Sequence, residues 1–427
     1  MKSIFKTLFF ATLLSSSQLF AQNYVPCASH EYLKYLDAKN PGMEQYVKDL
    51  SEQAKSYKPT RAGVITIPVV VHIVYYNAGQ NLTDDYINAQ IDMLNRSFLR
   101  QNTDTTNLRA EFKSRAGKAN IQFMLVDIKR VQTNVNGFEM TQGQNNNADA
   151  VKYTNAGGSN AVDPTHRLNI WVCNLTIQGG ELLGFAYPPA GLPNWGGWGM
   201  QIGDALDGVV IDYMAFGGIS KKPKNASFQG KTCVHEVGHY LGLRHIWGDD
   251  NGACHGQQGF EDDGIADTPE QGDQSPFDCN KNRNSCNEGA GDMKDMVENY
   301  MDYSTESCQN TFTKGQVALM ESVLANQRKN LAIPTAVESI NDDIQANVFV
   351  FPNPSNNGIL NIGIINLDYQ NASIAIYNSF GQVVKTIEMN NSNTKESIDV
   401  SNFAKGFYVI KTNIDGKYLD TQKVLIQ

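Results

Sequence analysis

The sequence predicts an α+β fold for the larger part of the chain and a small all-β sandwich at its C-terminal end. Three observations carry this. Near-continuous apolar and β-branched runs at 65–75, 121–128, 168–175 and 208–213 read as strands of a twisted sheet. Two stretches, at 83–98 and 230–241, read as the long helices that cover it. Beyond residue 332 the chain changes to short alternating runs divided by turn signals, as a separate β unit requires.

Taken in order, the chain opens with Met1-Lys2 and Lys6, then the short apolar core Leu8 to Leu14, then a polar stretch ending Leu19-Phe20-Ala21. That is the pattern of a secretory signal peptide, residues 1–21, cut after Ala21. Glu31 to Lys55 is expected to be helical at both ends and broken near Asn40-Pro41-Gly42. Residues 56–61 look exposed and open to nicking, so 22–61 reads as a pro-segment and 62–331 as the main domain. Ile65 to Tyr75 (ITIPVVVHIVY) is a buried strand. Thr83 can cap a helix that carries Ile87, Ile91, Leu94 and Phe98 on one face. Residues 131–160, rich in Asn, Gly and Gln, read as a long surface excursion. Leu182 to Tyr187 (LLGFAY) adds a shorter strand. Thr313 and Gln316 form a capping-box pair ahead of Val317, Met320 and Leu324. Residues 332–347 form a polar linker, and 348–427 the β-sandwich, which holds no His or Cys.

The chemistry is concentrated in His235-Glu236-Val237-Gly238-His239-Tyr240-Leu241-Gly242-Leu243-Arg244-His245. His235 and His239 are four apart, so a helix stacks them on one face, an arrangement that suits zinc. Glu236 projects beside the metal and is placed to take a proton from water there. A straight helix cannot bring a third ligand from six residues on. Gly242 accepts positive φ, ends the helix and turns the chain back, so His245 completes a three-histidine site with an open fourth position. A structural zinc more often has four protein ligands, often Cys, and no adjacent Glu. Met301, in Asn299-Tyr300-Met301-Asp302-Tyr303-Ser304, supplies the Met-turn that accompanies this longer motif.

Other features bound the function. The formal net charge is −9, with no Lys/Arg cluster of the size that marks a nucleic-acid footprint. No segment reaches the roughly 18 apolar residues of a membrane span. Glu261 to Thr268 offers many oxygens in few residues, as calcium needs, without EF-hand spacing; a solvated acidic loop has the same composition. The seven cysteines are an odd number, four of them in the loop-rich region after the zinc helix, and export permits disulfides. Cys173 and Cys233 read as buried thiols, with a bridge between them left open.

With these residues in view, the region 62–330 resembles the pappalysin family of metzincins, secreted zinc endopeptidases. The resemblance implies a metzincin-type catalytic domain with a twisted mixed sheet, an active-site helix and a loop-rich C-terminal subdomain containing the Met-turn. It implies zinc on His235, His239 and His245, Glu236 as general base and acid, Met301 as the floor beneath the metal, and Tyr303 as the donor that steadies the oxyanion. It further implies disulfides Cys254–Cys286 and Cys279–Cys308, and structural calcium held by Asp263 and Thr268. Gly184, Phe185 and Ala186 would form the edge strand that binds extended substrate, and Glu306 would sit at the base of a pocket favouring Arg or Lys after the scissile bond. Cys27 resembles the family's latency cysteine, whose thiolate fills the open metal position. The C-terminal unit, with Val350-Phe351-Pro352-Asn353-Pro354 and Gly406-Phe407-Tyr408-Val409-Ile410, resembles the sorting domain of the type 9 secretion system. The expected protein is therefore a latent zinc endopeptidase, secreted or attached to the outer cell surface, whose partners are protein or peptide substrates and the secretion machinery. The rival functions are a cell-surface binding protein on a dead protease scaffold, which the intact Glu236 and histidines argue against, and a non-proteolytic zinc amidohydrolase.

Overall fold

The computed structural model describes residues 24–57, 64–141, 147–189, 205–249, 252–331, 347–351, 355, 358–365, 369–378, 380–390 and 395–426. The expected signal peptide, most of the exposed stretch 56–61 and most of the linker lie outside the described residues.

The main sheet is built from β2 (Ile65–Tyr75), β3 (Ile121–Gln132), β5 (Leu168–Cys173), β8 (Gly184–Ala186) and β9 (Val209–Asp212) in the order β3-β2-β5-β9-β8. Four strands are parallel and β8 alone runs antiparallel, at the edge. Parallel pairing demands crossovers, and those put helices on the sheet. Helices α3 (Asp84–Phe98), α4 (Lys231–Tyr240) and α5 (Lys314–Ala325) share one core with Ile67, Val69, Val71 and Ile73 of β2. Thr83 takes the N-cap position of α3, but its side chain makes no capping bond. Thr313 and Gln316 do form a reciprocal capping box on α5.

The N-terminal segment is part of this packing. α1 (Ser29–Lys39) and α2 (Met43–Lys55) are separated at Asn40-Pro41-Gly42, and Gly42 takes φ +102°. Tyr46, Leu50 and Ala54 of α2 join the main core. Tyr32, Leu33 and Leu36 of α1 join a second core on the other face of the sheet, with Trp171, Cys173 and Val210. A short strand β1 (Tyr24–Val25) enters a second sheet, order β1-β7-β6-β4, with β4 (Phe138–Met140), β6 (Leu175–Ile177) and β7 (Gly180–Leu182).

Residues 131–160 are not simply a surface excursion. They supply the end of β3, all of β4 and two short 3-10 turns, the first of which buries Ala148, Val151 and Lys152. Their apolar residues are too sparse among Asn and Gly to show a period, so composition points outward where packing takes the chain in. Cys254–Cys286 and Cys279–Cys308 are bonded, closing loops of about thirty residues in the aperiodic stretch between the zinc helix and α5. Loops of that size favour the folded chain by roughly 3–4 kcal/mol each on the chain-entropy view. Cys27, Cys173 and Cys233 are free and buried, so no bridge joins the latter two.

The C-terminal unit stacks two antiparallel sheets. One is β10-β11-β14, from β10 (Asn347–Phe351), β11 (Ile359–Ile365) and β14 (Lys395–Asp399). The other is β13-β12-β15-β16, from β12 (Ala372–Tyr377), β13 (Val383–Met389), β15 (Gly406–Ile414) and β16 (Lys417–Ile426). Alternating residues such as Ile362, Ile374, Ile376 and Ile410 fill the space between them.

Candidate active site

Every residue of α4 is buried, so its polar side chains must be satisfied inside the protein. The helix ends where Gly242 adopts φ +95°. The Leu243 amide donates to the Gly238 carbonyl (3.0 Å), the six-to-one bond of a Schellman end, and the chain reverses. A Cβ at Gly242 would lie 2.9 Å from Leu319 and 3.0 Å from Val323, so both conformation and space require glycine.

The reversal brings three imidazoles together. His239 Nε2 lies 3.1 Å from Nε2 of His235 and 3.1 Å from Nε2 of His245. The Nδ1 protons are already committed. His235 donates to the Tyr300 carbonyl (2.7 Å), His239 to the Leu243 carbonyl (2.8 Å), and His245 to the Asp249 carboxylate. Each Nε2 is therefore the bare, lone-pair nitrogen, and three such nitrogens at this spacing repel unless a cation lies among them. The donors fit zinc, which takes imidazole nitrogen and is held best when the other ring nitrogen is anchored. Burial, first, and the neighbouring imidazoles push all protonation of His239 well down, leaving it free to ligate.

Cys27 joins this cluster: its Sγ and the three ring nitrogens all lie within 4.8 Å of one another. Burial, and then the Glu236 charge, raise the thiol well above its usual value, so a thiolate at this point needs a cation beside it. Val25 and Ala28, flanking it, bond to the neighbouring strands: Leu183 N donates to the Val25 carbonyl and Ala28 N to the Gly184 carbonyl, each at 3.0 Å.

Glu236 is fully buried and raised to about 8, chiefly by burial. Ser29 Oγ donates to its Oε2 (2.8 Å), while Oε1 is buried without a hydrogen-bond partner among the described residues. A Cβ on Gly184 would stand 2.7 Å from Glu236 Cγ, so glycine lets the carboxylate lie beneath the edge strand. Phe185 and Ala186 complete that strand, and Ala186 N donates to Ser29 Oγ (2.8 Å). Tyr303 OH donates to the Cys27 carbonyl (3.0 Å), and its ring lies 4.8 Å from that of His245. Met301 is buried with its Sδ against Gly238, where a Cβ would come within 2.5 Å. Asn299 accepts from Met301 N and exchanges bonds with Gln316, tying the Met-turn to the capping box of α5.

Glu306 lines a pocket with Pro26, Phe228, His235 and Tyr303. Its carboxylate is already engaged: Thr232 N and Oγ1 donate to Oε1, and Gln229 N to Oε2. In the acidic loop, Thr268 Oγ1 donates to Asp263 Oδ1 (3.0 Å), and Asp263 Oδ2 is buried without a partner among the described residues.

Three residues of the site carry no motif. Asp249 anchors His245, Trp247 stacks on the His245 ring (4.3 Å, 5° between planes), and Ser29 holds Glu236. The first two follow His245 closely, and that adjacency was the one signal available. Ser29 has only its place two residues after Cys27.

Residues 159–325 match the peptidase M43 family model, described as pregnancy-associated plasma protein-A, and 349–427 match that of a secretion system C-terminal sorting domain. Extracellular metalloproteases of Arthroderma benhamiae and Arthroderma otae are 30% and 29% identical, each aligning with 64% of this chain and with 83% and 84% of their own lengths. Among solved structures, mature mirolysin of Tannerella forsythia with a cleaved peptide is similar at 39% identity and a TM-score of 0.53, over 63% of this chain and 96% of its own. A Tannerella forsythia promirolysin variant is similar at 37% identity and a TM-score of 0.59, over 71% and 96%. The described residues contain no helix long and apolar enough to cross a membrane. By shared sequence, shared fold and a histidine cluster of the right chemistry, the chain belongs to the pappalysin family, M43, as a zinc metalloendopeptidase that a type 9 sorting domain directs to the cell surface or beyond.

Proposed function

We propose that the chain is made as a latent precursor: signal peptide 1–21, pro-segment 22–61, catalytic domain 62–331, linker 332–347 and sorting domain 348–427. The observation that carries this reading is the seat of Cys27 among His235, His239 and His245, with its neighbours bonded to the strands beside Glu236. The greater match of the chain to promirolysin than to mature mirolysin, 71% against 63%, supports it.

When bound at the three histidines, zinc supplies a Lewis acid that polarises the scissile carbonyl and acidifies water. The protein does the rest. Extended substrate takes the Gly184 carbonyl and the Ala186 amide, the groups that Ala28 and Ser29 now occupy. Glu236 takes the proton of the attacking water and returns it to the departing amine. Tyr303, freed from the Cys27 carbonyl, donates to the oxyanion, a role worth a few kcal/mol for such donors. Glu306 leaves net negative charge at the base of the pocket beside His235, favouring a basic side chain there. Asp263 and Thr268 belong to a calcium loop, supported by the orphaned Asp263 Oδ2, which a cation would satisfy.

Mass spectrometry of a peptide library exposed to precursor and to pro-segment-free enzyme, with and without chelator, tests the reading. Cuts by the matured enzyme should vanish on chelation, and the precursor should cut far more slowly. Cleavage that survives chelation excludes the metal-dependent mechanism; a precursor as fast as the matured enzyme excludes latency.

A further inference from the structure

One buried cluster beside the site has no part in the chemistry above. Lys152 is wholly buried, and its Nζ donates to the Leu206 carbonyl (2.9 Å) and pairs with Asp149 Oδ1 (3.2 Å). Tyr32, from α1, lies over this pair. Its hydroxyl donates to Asp149 Oδ1 (2.8 Å) and accepts from Lys152 Nζ (3.4 Å). Its ring meets Phe185 at 4.8 Å and Tyr187 at 6.4 Å, with the Lys152 ammonium 5.0 Å from the ring centre.

Each contact reads one property of the occupant. Aromatic walls and a cation over the ring suit a π face. Asp149 Oδ1, which also faces the Lys152 ammonium, accepts from the hydroxyl at the far end of the ring, a donor that phenylalanine lacks. A lysine or arginine in the same place would confront Lys152. These contacts together fit a phenol.

Its position connects it to substrate. Gly184 faces Glu236, so the next residue, Phe185, points to the opposite face of the sheet. The socket thus lies one strand's thickness from the catalytic carboxylate, across the same edge strand. A peptide extended along that edge sends alternate side chains to the two faces, and every second one points to the socket's side.

We propose that Asp149, Lys152, Phe185 and Tyr187 form a substrate subsite for a tyrosyl side chain, occupied in the precursor by Tyr32. This rests on the pro-segment leaving the matured enzyme. The test uses matured enzyme in two measurements. In the first, synthetic peptides spanning residues 24–39 inhibit hydrolysis of a fluorogenic peptide, with Cys27 intact or as Cys27→Ser. Tyr32→Phe should weaken inhibition by about tenfold in both backgrounds, and Tyr32→Ala further, as expected for a lost hydrogen bond to a charged acceptor and then a lost ring. In the second, cut peptides from a random library should be enriched in Tyr over Phe at one position. That enrichment should fall to parity in the Lys152→Met/Asp149→Leu double variant, which removes both buried charges together. Equal use of Tyr and Phe at every position by the native enzyme, or indifference of the peptides to Tyr32→Phe, overturns the subsite. The peptide comparisons leave the enzyme's fold untouched, so they decide even where the double variant does not fold. A Cys27 peptide that does not inhibit at all counts instead against latency, while the Tyr enrichment still judges the socket.

Discussion

Asp249 offers a sharp way to probe the metal site, because it is the only side chain among the three acceptors behind the histidines. His235 and His239 are oriented by main-chain carbonyls, which substitution cannot remove. His245, 1% exposed, leans on the Asp249 carboxylate and on the face of Trp247. Asp249→Leu keeps the number and branching of the side-chain heavy atoms but leaves the Nδ1 proton of a buried ring without an acceptor and the ring free to choose the wrong tautomer. Loss of such a support typically costs 10- to 100-fold in metal affinity, about 1.4–2.7 kcal/mol. Asp249→Asn retains an oxygen that can accept, so it should lose only a few-fold. The assay is zinc competition against a chromophoric chelator on purified protein, with circular dichroism to confirm folding. Native affinity within twofold in a folded Asp249→Leu protein would refute the idea that this carboxylate orients a ligand.

Burial above all lowers His72 to about 4, where it lies between Ser159 and Asn169. The unfolded chain takes up that proton near pH 6.5, so the neutral ring's contribution is complete above that pH and fades as pH falls toward 4. Urea titrations of native and His72→Gln protein should show their stability gap narrowing by about 3 kcal/mol across that window; a constant gap would count against it. Calcium added to the metal-depleted protein should raise its melting temperature by a few degrees, and Asp263→Asn should remove the effect; equal shifts in both place calcium elsewhere. Glu306→Gln should cut kcat/KM for peptides with Arg after the scissile bond by about tenfold more than for Leu. An equal fall for both would leave Glu306 only as a brace for the start of α4.

Much of the site was legible because its constraints are local. The spacing of His235 and His239 needs only a helix, and Gly242 announces the turn that returns His245. Strands such as Ile65–Tyr75 declare themselves by β-branched residues that fit only a sheet buried on both faces. What stayed hidden was set by distant packing. Lys152 lies in an Asn-rich segment that looks solvated, and only the folded chain brings Tyr32 onto it from 120 residues away. Ser29 carries no pattern linking it to Glu236, 207 residues on. The resemblance puts Glu306 at the base of a substrate pocket, yet its oxygens also accept from amides at the start of α4, a use that no spacing discloses.

The most direct measurement joins zinc content to turnover in pro-segment-free Glu236→Gln protein. Glutamine preserves the shape beneath Gly184 but cannot accept the proton of water. One zinc per chain should remain, while peptide hydrolysis falls by roughly 10²–10⁴-fold. Hydrolysis at the native rate with zinc still bound would contradict the role given to Glu236 and, with it, the mechanism built on this helix.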